Sequence, residues 1–394
     1  MKFIISLLQW ICLVPTIGGS VYGILCMLSA LRLRTKLASP PDNSPVKWPS
    51  VTILKPVCGL EKNQEVNLRS ACQQDYPEFQ VVFSVQDFND PVIPLLKKIQ
   101  GEFGPEKVTV AIENRQAGPN GKINNLLGGI LHACHNTLVI SDSDIYLKPD
   151  YLKTIIGPLT DPEVVCVCTL YKATQAHTWF EKMEQLTFNA DFMANIIFAY
   201  VTGASNFCLG ASIALRRSTL EEIGGLESLA GYLVEDYEMG RRIWSSGKKM
   251  VVLPYFVETV VDLKDPSQWW THQIYWDQNT RAARPLGFFS SIVTRSIPFA
   301  LMYAAIRLAD PLGLSILGAT LGLRLLTSAA VLRLGIQDTE SLKNLAFLPL
   351  RDLAALVTWF LAFTKKTVIW RGSEFVLTHN GRLLRRGNSS PPPP

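Results

Sequence analysis

A stretch from Phe3 to Leu31 without one charged side chain, closed at once by Arg32, Arg34 and Lys36, most constrains what this chain can fold into. A run of that length crosses the hydrocarbon core of a bilayer as a helix. A cleaved signal peptide, cut near Gly18, Gly19 and Ser20, is the alternative. It is disfavoured because the apolar run continues past those residues and the basic cluster follows it rather than precedes it. The positive-inside rule then puts the N-terminus outside and the next segment, 32–49, on the cytosolic side as a basic flank and a Pro-, Ser- and Asn-rich linker.

Three further apolar stretches lie near the C-terminus, at 285–306, 311–332 and 345–363. Arg295 sits near the middle of the first, where a charge is costly, so that stretch is expected to lie in the membrane interface while the other two form a hairpin. A complete third span is the second reading. Lys365, Lys366, Arg371, Arg382, Arg385 and Arg386 then make 364–394 a basic cytosolic tail with a disordered, proline-rich end. Arg351 and Asp352, inside the last stretch, are expected to pair with each other or with a lipid headgroup. Phe192 to Leu215 also lacks charge but carries Asn195, Thr202, Ser205, Asn206 and three glycine or tyrosine interruptions. It reads as a helix end and a strand inside the cytosolic domain, on a face able to touch the bilayer.

Between these segments, 50–284, short β-branched runs alternate with helical patterns. Val51–Leu54, Gln80–Val85, Val108–Ile112, Leu138–Ile140 and Val164–Thr169 read as strands, and Asn63–Cys72, Pro91–Phe103 and Lys122–His135 as helices. The alternation predicts an α/β domain with a mostly parallel sheet and ligands at the carboxyl ends of its strands. Charged residues make up 18% of the chain and the net charge is only +5, with the basic residues gathered beside apolar runs. That pattern argues against nucleic acid as a partner and for a lipid bilayer. The eight cysteines include no Cys-x-x-Cys pair, which argues for a reducing compartment and against a zinc site.

Acidic residues fall where such a sheet collects ligands. Asp87 follows the strand ending at Val85, Asp142 and Asp144 follow the strand ending at Ile140, and Glu235 and Asp236 open a helical pattern. Any one of them alone is as well explained as a turn residue or a helix N-terminus. Together they form a constellation. Carboxylates spaced like Asp142 and Asp144 can hold a hard divalent cation, Mg²⁺ or Mn²⁺. A carboxylate at a helix start is well placed as a base toward an alcohol. Gly118 to Asn125 adds a glycine turn and Lys122 at a helix entrance, a setting suited to phosphate but without the spacing of a P-loop.

At these residues the chain resembles the ceramide glucosyltransferase family of membrane glycosyltransferases. The carriers are Leu-Lys-Pro at 54–56, Gln-Asp-Tyr-Pro at 74–77, Val-Gln-Asp-x-x-Asp-Pro at 85–91, Lys-Ile-Asn-Asn at 122–125, Asp-Ser at 142–143, Val-Thr-Gly at 201–203 and Glu-Asp-Tyr at 235–237. The resemblance implies a GT-A type nucleotide-sugar-binding domain between an N-terminal transmembrane helix and C-terminal membrane helices. It implies an inverting transfer of a hexose from a UDP-sugar to a membrane lipid hydroxyl. It makes Asp87 the reader of the uridine, Asp142 the residue serving metal and diphosphate, and Asp236 the base. Lys122, Asn124, Asp144 and Glu235 join Asp87 and Asp142 as candidates for the nucleotide-sugar. The family's closing motif, (Gln/Arg)-x-x-Arg-Trp, departs here: His272 and Tyr275 stand at its first and fourth positions and only Trp276 is retained, with Arg281 and Arg284 nearby. Ceramide is the first acceptor implied, a hopanoid polyol or diacylglycerol the next. A processive polysaccharide synthase and a non-catalytic membrane scaffold are the other classes left open.

Overall fold

The run Val51–Pro56 is apolar except for Thr52 and Lys55, and all six residues are buried. Such a strand belongs in the middle of a sheet covered on both faces. In the computed structural model, which describes residues 2–37, 47–365, 367–370, 373–378 and 381–385, that is where it lies. The strands are β1 (Val51–Pro56), β2 (Phe79–Val85), β3 (Val108–Ile112), β4 (Thr137–Ser141), β5 (Ile145–Tyr146), β6 (Val164–Thr174), β7 (Ser212–Arg216) and β8 (Lys249–Val260). They form one sheet in the order β3-β2-β1-β4-β7-β6-β8-β5. The block β3-β2-β1-β4 is parallel, with Leu54 level with Val82 and Ile140. β7 then joins β4 antiparallel. Because β1, β2 and β4 run the same way, the chain leaves all three at one edge, just before Asp87 and Asp142.

Helices return the chain between these strands. Gly121–Gly129 starts at Asn120, whose side-chain oxygen accepts from the Ile123 amide. It ends well short of the expected His135, because Gly128 and Gly129 give the helix little reason to continue and only a short 3-10 turn, Ile130–His132, follows.

The chain divides into two compact units: one of Leu37–Lys172, Asn206–Asp262 and Ile369–Pro394, containing most of the sheet, and one of Met1–Lys36, Ala173–Ser205 and Leu263–Val368. This differs from the expected continuous domain over 50–284. In the segment 192–215, the strand reading applies to β7, but the helix Met193–Thr202 belongs to the other unit. There it packs against the N-terminal helix Lys2–Arg34. Tyr22 donates to Asn195 at 2.7 Å and meets Phe198 edge-on.

In that second unit three helices are long and apolar enough to cross a membrane: Lys2–Arg34, Pro311–Ile336 and Leu345–Thr364. Pro285–Thr294 and Ser296–Ile306 form a pair bent by 48°. The break falls at Arg295, which lies 4.0 Å from Asp277. Arg351 and Asp352 do pair, at 3.0 Å, within a larger buried network in which Arg351 also meets Asp191 and Arg324 meets Asp352. Sharing each charge among several partners offsets the cost of burying it.

The segment expected to be only a basic tail is partly structured. β9 (Thr367–Trp370), β10 (Ser373–Leu377) and β11 (Leu383–Arg385) form a second sheet in the order β11-β10-β9. Alternation such as Phe375 and Leu377 carried the signal, but the surrounding basic residues masked it. Lys366, Arg371, Arg386 and the expected disordered end lie outside the described residues, as does most of the linker.

Candidate active site

Lys122 is the hub of the site. Its ammonium reaches Asp142 at 2.7 Å and Glu235 at 3.0 Å, and donates to the Gly210 carbonyl at 3.3 Å. Burial works against its charge, but Asp142, Glu235 and Asp236 outweigh that and raise its pKa well above the usual lysine value. The second oxygen of Glu235 accepts from Asn120 Nδ2 at 3.0 Å. Asn120 thus caps the helix that carries Lys122 and holds the carboxylate that Lys122 meets. Its Nδ2 also donates to the Tyr232 carbonyl at 2.9 Å.

Asp142 leaves the end of β4, and burial raises its pKa despite the neighbouring Lys122. Asp144 leaves the same turn, its carboxylate accepting from Thr259 at 2.6 Å. Between them Ser143 donates to Glu61 at 2.8 Å. Lys55 holds the turn from beneath. It is fully buried in β1 and donates to the carbonyls of Asp142 at 2.7 Å and Ile145 at 3.1 Å. Burial lowers its pKa to about 8. Sequence reading quoted Lys55 only within the Leu-Lys-Pro motif at 54–56 and gave it no role of its own, although a lysine inside an otherwise apolar strand was a visible signal.

Asp236 lies in the first turn of the helix Glu235–Ser245. Burial first, then the adjacent Glu235 charge, push its pKa up to about 7. One oxygen accepts from the Tyr237 amide at 2.7 Å. The other faces Gly210, where an added Cβ would come within 2.8 Å of it and 3.2 Å of Lys122 Nζ. A glycine is required there for space. Gly240, on the following turn of the helix, is needed for the same reason, since a Cβ on it would meet the Cys208 amide nitrogen at 2.2 Å. Neither glycine was found from the sequence, because a close approach leaves no local pattern.

The structure thus brings Lys122, Asp142, Glu235 and Asp236 together, with Asp144 on the same turn as Asp142. Asp87 is exposed and lines an open cleft of about 370 Å³ together with Phe88, Asn114, Pro119, Gly121 and Asn125. Gly121 is the immediate neighbour of Lys122, so cleft and hub adjoin. Asp90, buried, accepts from the amides of Gly59 and Val92 and shapes the turn that presents Asp87. Asn124, expected at the nucleotide-sugar, makes local contacts within this segment. Its amide clamps the preceding loop, accepting from Ala117 N at 3.0 Å and donating to the Gly118 carbonyl at 2.9 Å.

His272, Tyr275 and Trp276 lie in the other compact unit, on the helix Pro266–Ala283. His272 Nδ1 pairs with Glu184 at 2.6 Å and its ring stacks on Tyr275. Burial opposes its charged form, yet Glu184 prevails and raises its pKa.

Comparison with known proteins fits this arrangement. The model of glycosyl transferase family 21 matches residues 11–383. Ceramide glucosyltransferase 1 of Caenorhabditis elegans is 24% identical over 97% of this chain and 82% of its own length. Ceramide glucosyltransferase 3 of the same organism is 22% identical over 85% of this chain and 74% of its own. Among solved structures, a mannosyltransferase from Pyrobaculum calidifontis, in complex with GDP-mannose and Mn²⁺, superposes with a TM-score of 0.53 at 20% identity. The match covers 90% of this chain and 99% of that one. This likeness is one of fold, of the GT-A type.

Proposed function

The chain belongs to glycosyl transferase family 21, and from that premise we propose that it moves a hexose, glucose first, from a UDP-sugar to the hydroxyl of a membrane lipid such as ceramide, with inversion. The observation that carries this reading is Asp236. It is a carboxylate whose pKa is brought to about 7, beside a buried lysine and next to an open cleft. A base poised near the working pH combines the right protonation state with useful proton affinity.

In the proposed step the acceptor oxygen attacks the anomeric carbon and passes its proton to Asp236. The bond from that carbon to the diphosphate breaks, and its electron pair leaves with the diphosphate oxygen. Lys122 supplies fixed positive charge next to that oxygen, where preorganised charge is worth most. Glu235 and Asn120 hold Lys122 in place. Asp87 takes the nucleobase in the cleft.

Asp142 and Asp144 suit a Mg²⁺ or Mn²⁺ ion. Both carboxylates come from one turn pinned by Lys55 and Ser143. Among the described residues no third histidine, cysteine or acid completes a closed cluster. One or two carboxylates plus substrate phosphates is the usual way such an ion is held. When bound it neutralises diphosphate charge as a Lewis acid.

The basic flank at Arg32, Arg34 and Lys36 supports a cytosolic position for the sheet unit. Access to a lipid hydroxyl is supported by the three apolar helices. The test is mass spectrometry of lipids formed by the purified chain from labelled donor sugars, with ceramide, diacylglycerol and a hopanoid polyol offered side by side. A glycosylated ceramide is expected. Donor turnover with no glycosylated lipid among the products would overturn the reading.

A further inference from the structure

The cleft that holds Asp87 has one wall from the far end of the chain. Phe375 of β10 lines it, although it lies 288 positions beyond Asp87 in a chain of 394 residues. The C-terminal segment is fixed there by backbone pairing to the loop that leads into the Glu235–Asp236 helix. Leu383 N donates to the Gly231 carbonyl at 2.9 Å, and Leu233 N donates to the Gly381 carbonyl at 3.0 Å. The Arg382 guanidinium sits over the Tyr232 ring at 5.2 Å.

A second aromatic ring in the cleft points the same way. Phe88 is next to Asp87 and 64% exposed, a large apolar side chain left uncovered. A buried Phe375, an uncovered Phe88 and a carboxylate in one cleft suit a flat group that is apolar on its faces and donates hydrogen bonds at its edge. A nucleobase is such a group, since every base has a π-face to pack on an aromatic ring.

We propose that Phe375 and Phe88 form the base slot of the donor site, so that the C-terminal sheet, which follows the last apolar helix, takes a direct role in nucleotide recognition. This rests on the reading of the cleft as the nucleotide site. Uracil packs its faces against the two rings and turns its N3–H to Asp87. The diphosphate then extends past Gly121 toward Lys122.

The experiment uses the full-length protein in detergent or nanodiscs, with Mg²⁺ present, and titrates UDP and inorganic pyrophosphate. Base–aromatic packing predicts that Phe375→Ala weakens UDP about 5- to 100-fold and leaves pyrophosphate within about twofold. Phe88→Ala, at an exposed position where the fold is not at stake, is expected to weaken UDP in the same direction. If the wild type binds UDP and both variants bind it equally well, the slot is wrong and the donor reading stands. Equal losses for UDP and pyrophosphate would mean a collapsed site and also overturn the slot. If the wild type fails to bind UDP, the donor reading itself falls and takes the slot with it.

Discussion

Lys122 and Asp142 face each other at 2.7 Å, on a helix start and a strand end that adjoin only in the folded sheet. The lysine side chain is 17% exposed and Glu235, its second partner, 11%. Removing the lysine strands the nearly buried Glu235 carboxylate and leaves Asp142, 33% exposed, without its near partner. Lys122→Met is therefore expected to cost on the order of 3 kcal/mol of stability and to abolish turnover. Denaturant unfolding measures the first and initial rates the second. An unchanged unfolding midpoint would contradict the pairing.

Asp236 and Asp87 are predicted to fail in opposite ways. Asp236→Asn keeps the shape and removes the basicity, which costs on the order of 100-fold or more in turnover while nucleotide binding is retained. Asp87→Asn weakens nucleotide binding and leaves turnover at saturating donor less affected. Titration and initial rates on both variants decide it. Near-normal turnover in Asp236→Asn would move the role of base to Glu235.

The base works only when ionised, and the Asp236 pKa is raised to about 7 by burial and then by Glu235. Activity must therefore rise with pH through about 7 and fall away below it, on a limb absent from any residual activity of Asp236→Asn. Glu235→Gln removes the neighbouring negative charge and should shift the limb to lower pH. The kcat/KM profile reports the free enzyme and is the one to measure. A profile flat from about pH 5 to about pH 8 would exclude Asp236 as the base.

Gly210→Ala places a methyl group where the Asp236 carboxylate and the Lys122 ammonium already sit. A displacement of about 1 Å at reacting groups costs roughly 100-fold in rate. Loss of activity with a near-native unfolding midpoint is the expected result. Full activity would show that the loop yields without cost.

Chelation should stop turnover, and Mg²⁺ or Mn²⁺ should restore it. Asp142→Asn is expected to impair donor use more than Asp144→Asn, because Asp142 also faces Lys122 while Asp144 leans on Thr259. Full activity in excess chelator would count against a metal at these carboxylates.

The amino-acid sequence by itself determined the apolar helices, the strand–helix alternation through β4 and the acids at the strand ends. Each of these is written in neighbouring residues: a run without charge, a period of two or of three to four, a carboxylate just after a β-branched stretch. It could not show that Lys122 would meet Glu235, that Gly210 must lack a side chain, or that Asn120 joins a helix start to a loop distant along the chain. Lys55 carried a visible oddity, a charge in a buried strand, but its meaning needed the turn of Asp142 beside it. The placing of Phe375 in the cleft with Asp87, and of Met193–Thr202 beside the N-terminal helix instead of in the sheet unit, depended on the same kind of contact. Close approach between segments distant in sequence leaves no periodic trace. It is decided by which surfaces can be buried together and which buried polar groups find partners.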